Sequence, residues 1–166
     1  MDAEKSALFA ELYDELRTLA HLKLRGEPLT LLGTTTLVHE CFEKMQRAGS
    51  VAANDRAQFL AYASRAMRSV VVDHARHRIT ARRGGGAVHL ELSVATDLPA
   101  EDERILKVHE ALGELEKRDE QLARVVEMRY FAGLTDAEIA GALGISARTV
   151  RRYWDKARVL LLATME

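Results

Sequence analysis

Four cations recur along one short stretch near the C-terminus: Arg148, Arg151, Arg152 and Lys156. At about 100° per residue they fall on one side of a helix, with only Asp155 among them. Val150, Tyr153, Trp154, Ala157 and Leu161 gather on the other side. A guanidinium forks onto a phosphate or onto the major-groove edge of guanine, so these residues suit both the positioning and the reading of a nucleic acid. On an ordinary surface helix the same charges would simply be a solvated face. The residues that precede them decide between the two.

Thr135 and Glu138 stand three apart, as a capping box requires, and mark a helix start. Ile139 and Leu143 form the inner stripe of that helix, and Ala140 is small where a second helix must cross closely. Gly144 ends it, because glycine accepts the left-handed backbone of a helix stop. Ser146 is placed to cap the next helix after a very short turn. These spacings predict a helix-turn-helix whose second helix carries the cations to DNA.

A second basic set lies upstream. A helix expected over about 55–80 puts Phe59, Ala63, Ala66, Met67, Val70 and His74 in one sector, and Arg65, Arg68, Arg76 and Arg83 on the other side. Val72 lies within the basic face, either as a lone exposed apolar residue or as a contact to a nucleic-acid strand. Residues 56–83 carry a local charge of +6 and residues 147–158 one of +4, which leaves −11 for the rest of a chain whose net charge is −1. Two basic islands in an acidic chain point to two nucleic-acid contact surfaces.

The rest of the chain frames these islands. Leu8, Leu12, Leu16 and Leu19 repeat at helical spacing within residues 2–24, and Arg25-Gly26-Glu27-Pro28 interrupts them. Thr34, Thr35 and Thr36 lead into a helix with Leu37, Cys41, Phe42 and Met45 available for burial. Asn54 is a good cap for the long helix that follows. The three glycines 84–86 stop that helix, and 84–99 reads as a short extended linker in which Val88, Leu90 and Leu92 alternate. The expectation is an all-α protein of two small helical domains, 1–83 and 100–166, joined by this linker.

Several functions are not supported. His74 and His77 lack a completing ligand set, the 84–86 glycines follow a helix instead of opening one, and Cys41 has no activating neighbour in sequence. No enzyme and no cofactor is indicated. One cysteine, no run of about 18 apolar residues and no secretory leader fit a cytoplasmic protein without membrane insertion.

With these residues in place the chain resembles the extracytoplasmic-function (ECF) sigma factors of bacterial RNA polymerase. The resemblance is densest in Arg129-Tyr130-Phe131-Ala132-Gly133-Leu134-Thr135, Glu138-Ile139-Ala140, Leu143-Gly144-Ile145-Ser146 and Thr149-Val150-Arg151-Arg152. It continues upstream in Leu37-Val38-His39-Glu40-Cys41-Phe42, similar to the family's polymerase-binding helix, and in Phe59 to Arg83, similar to its promoter-melting helix. The resemblance implies core RNA polymerase and promoter DNA as partners. The N-terminal domain would meet the polymerase clamp helices through Leu37, Val38, Glu40 and Cys41, and the C-terminal domain would meet the flap. Carried over by position, Arg148, Thr149, Arg151, Arg152 and Lys156 are −35 contacts. Arg65, Arg68 and Arg76 act near the −10 element, and Asn54 in the loop 48–56 is able to bond a flipped base. A stand-alone helix-turn-helix regulator is the alternative, though no heptad seam long enough for a dimer is present.

One departure stands out. Members of this family typically carry Asp-Ala-Glu-Asp directly before the Leu-Val, where this chain has Gly33-Thr34-Thr35-Thr36. Threonines there either only cap the helix or accept phosphate from a Ser/Thr kinase, which restores the charge. Thr35 is the first candidate, Thr36 the second and Thr34 the third; an anti-sigma factor is the other candidate regulator.

Overall fold

The computed structural model describes Asp14 and residues 34–48, 56–83 and 98–165. Apart from Asp14, the expected helix at 2–24 lies outside the described residues, as do Asn54 and most of the linker. The described residues form six helices and no strand. Helix α1 is Thr34–Arg47 and α2 is Arg56–Arg83. Helix α3 is Leu98–Arg118, so the last two residues of the expected linker are already helical. Helix α4, Glu120–Val126, runs on into a π turn at Glu127–Phe131. Helices α5, Asp136–Leu143, and α6, Ala147–Met165, close the chain. No described helix is long and apolar enough to cross a membrane.

Helix α1 buries Leu37, Val38, Cys41, Phe42 and Met45 against Phe59, Leu60, Ala63, Met67 and Val70 of α2. These positions repeat at three and four on each helix, so each presents one continuous apolar stripe. Lys44 Nζ reaches across to Ser69 Oγ and Asp73 Oδ2, both at 2.6 Å, and pins the register of the pair.

The two halves of the chain do not stand apart. Val125, Met128, Ala132, Leu134, Ile139 and Val150 belong to the same buried cluster as the α1–α2 stripe. A second cluster joins Val72 and Ala75 of α2 to Ile105, Val108 and Leu112 of α3, Leu122, Val126 and Phe131 of α4 and its π turn, and Ala157 and Leu161 of α6. Helix α2 is therefore packed along two sides, where its sequence suggested one packed and one polar side. Val72, expected as a surface residue, is 2% exposed.

The π turn lies between the two clusters: Met128 belongs to the first and Phe131 to the second, and Glu127 is buried beside them. Gly133 follows at φ 68°, and Leu134 N–H donates to Met128 O at 3.0 Å. The chain is then aimed into α5.

Candidate nucleic-acid and polymerase interfaces

The helix-turn-helix is built from local chemistry. Thr135 Oγ1 accepts from Glu138 N–H at 3.1 Å, and Glu138 Oε1 accepts from Thr135 N–H at 3.2 Å, which completes the capping box. Gly144 sits in the left-handed region at φ 68° and ends α5, with Ile145 N–H donating back to Ala140 O. Ser146 Oγ accepts from Thr149 N–H at 3.1 Å and donates to Thr149 Oγ1 at 2.9 Å. The Thr149 hydroxyl is thus part of the cap of α6.

Helix α6 buries Val150, Ala157 and Leu161, and rests Tyr153 and Trp154 half-buried on the rest of the C-terminal half. That seating turns Arg148, Arg151, Arg152 and Lys156 outward, and all four are exposed. Arg129 packs its guanidinium over the Trp154 ring at 4.6 Å and pairs with Asp136 at 2.8 Å. It thereby ties the π turn to both helices of the motif. Neither Arg129 nor Asp136 was marked by spacing alone, because the contact depends on the turn between them.

The upstream cations divide. Arg65 and Arg76 are exposed, but Arg68 is 8% exposed. Its Nη1 pairs with Glu116 and, at 3.2 Å, with Glu127; its Nε donates to His109 Nδ1 at 3.0 Å. An outward-facing Arg68 does not fit this arrangement. Arg78 grips Asp102 Oδ1 through Nη2 at 2.8 Å and through Nε at 3.0 Å, and Arg82 takes Oδ2 at 2.9 Å. Asp102 has no exposed surface. The signal that could have marked it is an acidic residue in the same three-four register as Ile105 and Leu112.

Burial pushes the Glu127 carboxyl above its ordinary range although Arg68 donates to it. Burial, and then the Arg68 charge, lowers the His109 pKa below its ordinary value. This agrees with an Nδ1 that accepts a hydrogen bond from a guanidinium. Cys41 is fully buried and its thiol is pushed up to about 12, first by burial and then by the Glu40 charge.

On α1, Leu37, Val38 and Cys41 have no exposed surface. They hold the helix onto α2, so direct polymerase contact through them does not fit this arrangement. Glu40 is half-buried and pairs with His74 at 2.7 Å, while Thr36, His39 and Glu43 are exposed. Thr34 and Thr35 lie in the first turn of α1, but their side chains fall outside the described residues. Beside α1 a groove of ≈ 430 Å³ is lined by Lys44, Met45, Ala48, Tyr62, Arg65, Ala66 and Ser69.

A chain whose described residues form a helical bundle with a capped helix-turn-helix and an outward cationic helix has the build of a transcription protein. It belongs to the ECF sigma factor family, whose sequence model matches residues 2–166. No curated protein and no solved structure gives a significant match. Membership makes the chain a sigma factor of transcription initiation, with core RNA polymerase and promoter DNA as partners.

Proposed function

We propose that this sigma factor reads a −35 element with α6 and engages the −10 region with α2. The observation that carries the reading is the exposure of Arg148, Arg151, Arg152 and Lys156 on a helix seated by Val150, Ala157 and Leu161. The N-terminal end of a recognition helix meets base edges, which suits Arg148, Arg151 and Arg152 to reading, with Thr149 holding the cap. Lys156, a turn further on, suits a phosphate. Upstream, the groove that carries Lys44, Tyr62 and Arg65 offers cations for a strand and a ring on which a base can stack. Asn54 and Arg76 are the other −10 candidates, and Arg68 joins them only when its internal pairs are broken. The clamp would meet the outer side of α1 around Thr36, Glu40 and Glu43, and the flap would meet the C-terminal half.

Polymerase binding is the step at which we place control. The first turn of α1 has no acidic residue. A phosphothreonine there adds about −1.5 to −2 charge where the helix dipole favours an anion. Opposite charge at a partner surface raises both encounter rate and register. Thr36 is exposed, and Thr35 and Thr34 share its turn.

Run-off transcription with core polymerase tests the reading, since only a sigma factor gives promoter-specific initiation. Co-purification with polymerase, with and without a Ser/Thr kinase, tests the switch on Thr35→Ala, Thr36→Ala and their Glu counterparts. Equal binding by unmodified and phosphorylated protein would leave the threonines as caps alone.

A further inference from the structure

We infer that the free protein is self-clasped: acidic side chains of the C-terminal half occupy Arg68, Arg78 and Arg82 of α2 and compete with single-stranded DNA for them. The inference rests on the reading of α2 as a DNA-contacting helix, and it adds Arg78 and Arg82 to that surface.

The clasp is a matched pair of helix faces. Arg68, Val72, Ala75, Arg78 and Arg82 follow one another at intervals of three and four, so they share one face of α2. Asp102, Ile105, His109, Leu112 and Glu116 do the same on α3. Arg82 and Arg78 meet Asp102 at one end, and Arg68 meets His109 and Glu116 at the other, so the two helices run antiparallel. Val72 and Ala75 lie buried between the two ionic ends, in one cluster with Ile105 and Leu112.

The chemistry at the two ends is what a nucleic acid would offer. Asp102 presents two oxygens to two guanidiniums, as a phosphate would, and Glu116 and Glu127 present oxygens to Arg68. Three of the seven arginines in the basic island of residues 56–83 are thereby neutralised inside the molecule. A buried ion pair adds little net stability over water but fixes register strongly. Such ends suit an interface that must form in one way and then be released. A polyanionic strand supplies equivalent oxygens to the same cations, so its binding and closure exclude each other and are thermodynamically coupled.

The test uses the full chain. Dyes on Gln46→Cys and Gln121→Cys, both exposed positions, report the separation of the two halves by energy transfer, while buried Cys41 stays unlabelled. Asp102→Asn keeps the shape and removes the charge; Glu116→Gln acts at the opposite, more exposed end, so a folded variant is available if the first is unstable. Each should lower the transfer efficiency and strengthen binding of a fluorescent single-stranded oligonucleotide by roughly tenfold, within the span usual for coupled sites. Adding Arg78→Ala and Arg82→Ala to either variant should abolish that gain. Opening without tighter oligonucleotide binding would overturn the competition, and unchanged transfer efficiency in both folded variants would overturn the clasp. Promoter-specific run-off by the wild-type chain keeps the sigma reading standing in either case, whereas loss of run-off would sink that reading instead.

Discussion

Arg151→Ala separates base reading from backbone contact on α6. The Arg151 side chain is 66% exposed, its Nε lies 3.7 Å from Asp136, and Asp136 keeps its shorter pair with Arg129 when Arg151 is removed. A surface pair of that kind is worth about 0–1 kcal/mol, so the unfolding free energy should change by less than about 1 kcal/mol. Loss of a forked contact to a base costs about 1–3 kcal/mol in DNA affinity, or roughly 5- to 150-fold. Loss of a phosphate contact instead weakens all sequences alike and reduces the salt slope by about 1. Anisotropy titrations on a duplex bearing the −35 element and on a scrambled one, each at several salt concentrations, distinguish the two. We expect a loss confined to the specific duplex, and Arg151→Lys should not restore it, because an ammonium cannot make the fork. Equal loss on both duplexes would refute base reading. A marked fall in the unfolding midpoint would instead assign Arg151 to the fold.

Two further outcomes concern His109 and Cys41. The folded molecule holds His109 neutral below the pH at which the unfolded chain takes up a proton, about 6.5, so its contribution is intact above that pH and is lost as the pH falls through it. The denaturation midpoint should therefore drop more between about pH 7.5 and about pH 5.5 in the wild type than in His109→Gln. Glu127, with its raised pKa, acts in the opposite sense in both proteins and cancels in the comparison; identical pH profiles would refute the assignment. Cys41, fully buried with its pKa near 12, should react with a thiol reagent at about pH 8 only as fast as the protein unfolds. Reaction at the rate of a free thiol would mean that α1 leaves α2 in the native state.

The helix-turn-helix was legible residue by residue because its determinants are local. Thr135 and Glu138 cap each other, Gly144 takes the backbone that only glycine takes cheaply, and Ser146 caps the next helix within three residues. The buried stripes of α1 and of one side of α2 were legible for a similar reason, since period alone reports them. What stayed hidden is the identity of the surface opposite. Periodicity groups Arg68 with other cations on one side of α2, but it does not say whether a distant carboxylate covers that side. The π turn at Glu127–Phe131 was hidden too, because its sequence is that of an ordinary helix and the widening is set by packing on α2.

Charge distribution bears on internal pairing as well as on external partners. Two basic islands suggest two external polyanions, and the remaining −11 then looks like a passive, solubilising surface. The ion pairs give that acidity a second use. Asp102 has no exposed surface and Glu127 has little, so neither serves solubility, and each is joined to an arginine of α2. An acidic residue set at helical spacing among apolar ones, as Asp102 is with Ile105, Leu112 and Ala111, needs a cation brought to it from elsewhere in the chain. The upstream island is the source of that cation. The same arginines therefore have internal partners whose oxygens resemble those of the external partner proposed for them, whereas Arg148, Arg152 and Lys156 on α6 stay exposed to solvent. On the reading proposed above, recognition of a −35 duplex by α6 needs no opening of the molecule, and use of the full α2 surface does.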